Sequence, residues 1–308
     1  MADINFTSDH LRKLLRVNSY PYSETKLMVF GIRGAKAISN NHDAFGFSHT
    51  IQASNLNYVN PNCIIGIWNP VANKIVVFTG STVPNLNYIK KHKEGTAKAN
   101  AMQSGFYSFY EKGYHNPNPN SAHQALRLAT NIMLRRSNND LVYTNEDPVE
   151  VGNPNDNIHA GYCNDATGNY SSAGCQVIVG QPKNKARNFQ ENTGNWKTFF
   201  NIIYKDTPSQ SHFDYCLFRF TDIEAVANNT SGVMDARLRF GSKGNSVLEL
   251  QQKLKDKGYY HTTLDGEYGR NTLFAVLAFQ KDTFGADEAD GVVGKNTATQ
   301  LGFTLPFI

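Results

Sequence analysis

The sequence predicts an α+β fold: a mostly antiparallel β domain with helices, followed by a small C-terminal three-helix domain. Two observations carry this reading. Up to about residue 227 the chain is rich in Asn, Gly and Tyr, and short apolar runs are separated by turn signals, as in paired strands. Past Gly232 the texture changes to apolar residues at helical spacing, with an internal repeat. The 308 residues, 40% hydrophobic and 18% charged, suit a globular chain with length for two ordinary domains.

In chain order, Leu27-Met28-Val29-Phe30-Gly31-Ile32 reads as a strand. Cys63-Ile64-Ile65-Gly66-Ile67-Trp68 and Lys74-Ile75-Val76-Val77-Phe78 read as a hairpin, because Asn69-Pro70-Val71-Ala72-Asn73 between them is a turn. Ala125, Leu126, Leu128, Ile132 and Leu134 recur near helical spacing and predict a helix over 122–135. Residues 116–120 and 153–157, both Asn-Pro-rich, are loops. Tyr215-Cys216-Leu217-Phe218-Arg219-Phe220 is a further strand. Asn228-Asn229-Thr230-Ser231-Gly232 marks a linker, which divides the chain into 1–227, a linker at 228–236, and 237–308.

No apolar run approaches the ~20 residues of a membrane span. Thirty Lys and Arg against 26 Asp and Glu give a formal charge of +4, too mild and dispersed for nucleic acid but compatible with a polyanionic wall. The densest basic run, Lys90-Lys91-His92-Lys93, reads as a solvated loop. Four cysteines do not make a disulfide scaffold. Cys63 and Cys216 lie in apolar runs and read as core. Cys163 and Cys175 lie in a polar, Gly- and Asn-rich segment, where a disulfide between them stays open.

In the C-terminal part Val247, Leu250 and Leu254 share one helix face, Glu249 and Lys253 form an i,i+4 pair, and Gly258 ends that helix. Leu273, Val276, Leu277 and Phe279 mark a second helix. Asp265-Gly266-x-x-Gly269-x-x-Thr272 recurs as Asp290-Gly291-x-x-Gly294-x-x-Thr297. In each copy Asp-Gly makes a tight turn, the second Gly is expected to take an unusual backbone angle, and a helix follows. Together with Leu238-Arg239-x-Gly241-Ser242-Lys243-Gly244, Leu250-Gln251 and Phe279-Gln280, these positions resemble the small three-helix peptidoglycan-binding domain of many cell-wall enzymes. The resemblance implies a module that grips peptidoglycan and leaves catalysis to the upstream residues.

Upstream, His159 precedes Cys175 by sixteen residues, a span that a loop between adjacent strands closes. A thiol becomes a nucleophile when a neighbouring imidazole takes its proton. Gly174, just before the cysteine, lets the chain turn and aim N–H groups at an oxyanion. On spacing alone, a loop histidine and a cysteine opening a buried strand serve equally well. Ser172, Gly174 and Cys175, with His159 upstream, resemble the Ser/Thr-His-Gly-Cys motif of the L,D-transpeptidase (YkuD-like) catalytic domain. The resemblance implies Cys175 as nucleophile, His159 as general base, and the Ala160 carbonyl orienting the imidazole. It implies Gly174 as part of a backbone oxyanion hole and Ser172 at the substrate. Ala173 stands where the motif has its second His, and Val177 where an Arg or Asn holds substrate. That missing cation favours hydrolysis or amino-acid exchange over cross-linking.

The implied activity is a cysteine-dependent L,D-carboxypeptidase or L,D-transpeptidase acting on peptidoglycan stem peptides, with no cofactor. His115, His123, His159 and Asp165 are available to a zinc peptidase, but none forms a compact ligand pair, so no metal is expected. A phage-type lysin, another wall peptidase and a non-catalytic peptidoglycan-binding protein are the alternatives. The start, Met1-Ala2-Asp3-Ile4-Asn5-Phe6, shows no secretory signal. The expectation is therefore an antibacterial effector, made in the cytoplasm and carried to the periplasm and wall by dedicated secretion machinery, with a cognate immunity protein as partner.

Overall fold

A computed structural model describes residues 3–138 and 140–308; Met1 and Ala2 of the start segment lie outside it. The chain opens with β1 (Ile4–Thr7) and α1 (Ser8–Val17), followed by β2 (Met28–Arg33), β3 (Ala35–Ala37) and β4 (Ser48–Ala53). The expected hairpin is β5 (Cys63–Asn69) and β6 (Lys74–Ser81). After it come α2 (Leu86–Lys93), β7 (Ala101–Met102), the long β8 (Gly105–His115), β9 (His123–Leu128), β10 (Ile132–Arg135) and β11 (Val149–Gly152). Two short strands, β12 (Ile158–Ala160) and β13 (Gln176–Ile178), precede α3 (Gly194–Phe200), β14 (His212–Arg219) and α4 (Phe220–Ala227). The C-terminal helices are α5 (Asn245–Asp256), α6 (Arg270–Phe284) and α7 (Lys295–Leu301).

Eight strands close into a barrel in the order β12-β13-β6-β5-β2-β14-β8-β9. Most neighbours are antiparallel, as expected, but β12–β13 and β14–β2 run parallel. Closure rests on one pairing, Ile158 of β12 with Leu126 of β9. Strands β2, β5 and β6, and β14 over Tyr215–Phe218, are apolar on both faces because each face meets a core. Val29, Ile65, Ile67, Val76, Phe78 and Leu217 join one core, while Phe30, Ile64, Trp68, Val77, Cys216 and Phe218 pack on the other with α1 and α4. Helix α1 starts where Thr7 Oγ1 accepts from His10 N, and buries Leu11, Leu14 and Leu15.

Two expected elements take another form. Residues 122–135 are not a helix but strands β9 and β10. Leu126 and Leu128, then Ile132 and Leu134, are also spaced by two, and Ala129-Thr130-Asn131 breaks the run between them. Residues 90–93 are not a loop but the last turn of α2, where four basic side chains complement the negative helix end.

The three-helix unit forms as expected, with Val247, Leu250, Leu254, Leu273 and Val276 buried. The roles of the repeat glycines differ from expectation. Gly266 and Gly291 hold the left-handed conformation (φ 68° and 72°), whereas Gly269 and Gly294 are extended residues that precede α6 and α7. Each turn is locked by a buried glutamine. Gln251 Oε1 accepts from Gly266 N, and its Nε2 reaches Asp265 Oδ1 and Thr272 Oγ1. Gln280 repeats this on Gly291 N, Asp290 Oδ1 and Thr297 Oγ1.

This unit packs directly on the barrel. Buried Arg239 pairs with buried Asp222 of α4 at 2.8 Å, Ser242 Oγ donates to Asn18 O, and Phe106 N donates to Phe240 O. Residues 234–236, within the expected linker, pair back with the end of the chain through Met234–Ile308 and Ala236–Pro306 hydrogen bonds. No helix among the described residues is long and apolar enough to cross a membrane.

Candidate active site

His159 and Cys175 meet because β12 and β13 are adjacent and parallel. His159 lies opposite Val177, and Gln176 N donates to Asn157 O, which sets Cys175 one step before the ladder. A parallel pair needs a crossover, here residues 161–175. Tyr162 begins it in the left-handed region (φ 59°), with its hydroxyl 3.0 Å from His123 Nδ1.

His159 is buried, and its Nδ1 lies 2.7 Å from Ala160 O. A carbonyl only accepts, so Nδ1 carries the proton and Nε2 keeps the lone pair. Burial, with His115 and His123 nearby, holds the imidazole well below its ordinary 6.5 and therefore neutral. Cys175 is 8% exposed, with its Sγ 3.8 Å from Asn155 O. Burial, and next the nearby Asp156, push the thiol up. The resting pair is thus thiol and neutral imidazole, a state in which the proton moves during attack. All four cysteines are free thiols, so the segment holds no Cys163–Cys175 bridge.

Gly174 serves the site by close approach, with no left-handed angle. A Cβ there would lie 2.6 Å from both Asn100 Nδ2 and Asp156 Oδ1. These two side chains hydrogen-bond to each other beneath the turn, and Asn100 N donates to Ala173 O. Burial raises the Asp156 carboxyl to about 7. Ser172 Oγ donates to Cys175 O and accepts from Gly174 N, so the hydroxyl and the Gly174 N–H are both engaged within the turn. The Gly174 N–H is therefore not free to meet an oxyanion.

Two further groups line the same cleft: His115, which the sequence offers only as a zinc ligand, and Arg127, to which the sequence assigns no role. His115, at the end of β8, stacks on His159 with ring centroids 3.8 Å apart and 13° from parallel. Asn157 Oδ1 accepts from Leu128 N, so its Nδ2 donates to His115 Nδ1, leaving the His115 proton on Nε2. Arg127 of β9 enters the same cleft. Its stem crosses Gly113, where a Cβ would lie 2.6 Å from Arg127 Cδ, and its guanidinium has no partner among the described residues. The cleft, about 640 Å³, is lined by Tyr88, His115, Arg127, His159, Ser172 and Cys175 among others. Alternating polar and apolar residues in a strand gave no signal that Arg127 faces this cleft.

Donor atoms of His115, His159 and Cys175 lie within 4.8 Å of one another, and neither His123 nor Asp165 joins them. Lone pairs in two nearly parallel rings do not converge on one ion, so shared coordination requires a ring to rotate.

A comparison with known families bears on the C-terminal unit. Residues 243–301 match the family described as "Putative peptidoglycan binding domain". The chain is 41% identical over 86 residues to the spore cortex-lytic enzyme of Bacillus subtilis (strain 168), covering 28% of each chain. It is 32% identical over 88 residues to the spore cortex-lytic enzyme of Halalkalibacterium halodurans, covering 29% of this chain and 26% of that one. The chain therefore spans about a quarter of the length of these curated relatives. No solved structure matches it significantly. The C-terminal three-helix unit is a peptidoglycan-binding domain.

Proposed function

We propose that the chain is a cysteine-dependent peptidoglycan-modifying enzyme, with residues 1–227 acting on stem peptides and 237–308 holding the wall. The observation that supports it most is that Cys175 Sγ lies within 4.8 Å of a ring nitrogen of a neutral His159, whose Nδ1 is fixed by Ala160 O, at an open cleft. As Sγ attacks the carbonyl carbon before the terminal D-residue, His159 Nε2 takes the thiol proton. The developing oxyanion meets the Cys175 N–H, and the Nε2–H of His115 is a second donor at this end of the barrel. The C–N bond then breaks, the leaving amine takes the proton from His159, and a thioester remains. Water releases the acid and regenerates the thiol, which is L,D-carboxypeptidation. An amine in its place gives exchange or L,D-transpeptidation.

Arg127 supplies the cation that Val177 does not, and it suits the free carboxylate of the terminal D-residue. A non-catalytic wall-binding protein is the second reading, favoured by the burial of Cys175. Mass spectrometry of purified muropeptides decides between them. Wild type, with and without added D-amino acids, should remove or replace the terminal residue, and Cys175→Ala should do neither while still binding peptidoglycan. An unchanged digest with wild type, or full activity in C175A, overturns the proposal, and loss of activity in EDTA points instead to a metal enzyme. An antibacterial role belongs to the same reading. Directed to a bacterial periplasm, wild type is expected to lyse cells and C175A is not.

A further inference from the structure

A second cavity lies apart from the cleft and shares no lining residue with it. It has a volume of about 530 Å³, within the range of small-molecule sites. Three arginines reach it: Arg33 from the end of β2, Arg135 from β10 and Arg219 from the end of β14.

These guanidiniums are poorly neutralised. Arg135 is 2% exposed, and its Nη1 and Nη2 donate to the backbone carbonyls of Asn145, Asp147 and Ala289. Its buried Nε has no partner. The Asp147 carboxylate is turned to the loop amides of Asn138 and Thr144. Arg33 donates to Thr82 Oγ1 and to the carbonyls of Thr82 and Met102, and it forms no ion pair among the described residues. Only Arg219 touches a carboxylate, Asp290, at 3.6 Å. Burying a cation with no carboxylate in hydrogen-bond contact is costly, and a buried donor left unpaired adds to the cost. An anion in the cavity would offset the uncompensated charge.

The other walls describe what carries the anion. Leu56, Tyr58, Val83, Tyr143 and Phe220 give an apolar, partly aromatic lining, and the buried Tyr143 hydroxyl also lacks a partner. We propose that this cavity binds a small organic oxyanion, a carboxylate or phosphate ester on an apolar or aromatic body. The half-exposed Arg219 guanidinium contacts the oxyanion, Arg33 and Arg135 add positive charge behind it, and the tyrosines flank the body.

The test is isothermal titration of phenyl phosphate and of benzoate into the full chain at matched ionic strength, with inorganic phosphate as the arm lacking an apolar body. The expected result is a single saturable site for at least one of the organic anions, tighter than for inorganic phosphate. Arg219→Ala, at a half-exposed position, should weaken it about tenfold. Leu56→Glu, at the exposed rim, should weaken it independently through like charge. Arg127→Ala, in the separate cleft, should bind as wild type. Three results overturn the proposal: no saturable heat, binding unchanged in both R219A and L56E, or binding abolished by R127A.

Discussion

The imidazole of His115 lies flat against that of His159, although one ends β8 and the other lies in β12. Two stacked imidazoles cannot both be charged at this distance, so protonating one opposes protonation of its neighbour. His159 is therefore held well below 6.5 by burial, then by His115 and His123. The acid limb of kcat/KM is expected below pH 6.5. Replacing His115 with Asn removes one like charge and should move that limb upward. A pH–rate profile of H115N checks this, and a limb that stays in place removes His115 from the argument.

The same histidines make stability depend on pH. His115 is lowered to about 4 by burial and then by His123, so between pH 6.5 and 4 the unfolded chain binds more protons than the folded one. Their contribution is present above 6.5 and is lost as pH falls toward 4. Asp156, raised to about 7 by burial, acts in the opposite direction, stabilising the fold more at low pH. The comparison of wild type with H115N isolates the histidine. Urea unfolding should show the wild type losing more stability from pH 6.5 to 4, by on the order of 1–2 kcal/mol after solvent screening.

Arg127 should govern substrate affinity without affecting the fold, because it is exposed and unpaired. Arg127→Ala is expected to raise KM for stem peptides about 10- to 100-fold, the value of a charge-assisted contact, with little change in melting temperature. Arg127→Lys should recover part of this. Amidating the substrate's terminal carboxylate should erase the difference between wild type and R127A. If R127A still discriminates between acid and amide, the carboxylate is held elsewhere.

What the sequence reveals of this site is what is local in the chain. His159 and Cys175 lie sixteen residues apart, so one crossover unites them and a motif can report them. His115 and Arg127 reach the same cleft only through barrel closure, carried by Ile158 against Leu126, which leaves no mark on either strand alone. The run around Leu126 and Leu128 shows why: its apolar spacing fits either period, and here pairing partners decided it. The C-terminal unit was more legible because its turns, capped by Gln251 and Gln280, are built from neighbours in sequence.

Gly174→Ala offers a test of how tightly the nucleophile turn is built. Its Cβ would press on Asn100 Nδ2 and Asp156 Oδ1, side chains already bonded to each other and closely packed. The clash should shift the turn, costing about 1–3 kcal/mol and displacing the Cys175 thiol. A chemical-denaturation midpoint and the rate of iodoacetamide labelling measure the two effects. In wild type, labelling should be slow at neutral pH because burial keeps the thiol protonated. An alanine variant with wild-type stability and labelling would show that the turn has room to spare.

Asp222 and Arg239 decide whether the two units unfold together. Burial raises the Asp222 carboxyl, but Arg239 outweighs it and holds the group at about 2. Since the folded value lies below the unfolded one, the stabilisation is present above about pH 4 and is lost as pH falls toward 2. Arg237 also reaches Asp222, at 3.2 Å, so Asp222→Asn leaves two guanidiniums without their carboxylate. Breaking one side of a buried pair costs about 3–5 kcal/mol, whereas Asp222→Leu with Arg239→Met should recover much of it. Calorimetry should show one transition for wild type and either a large downward shift or two separate transitions for D222N. Two transitions in wild type would mean that the wall-binding unit folds independently of the barrel despite the buried contact.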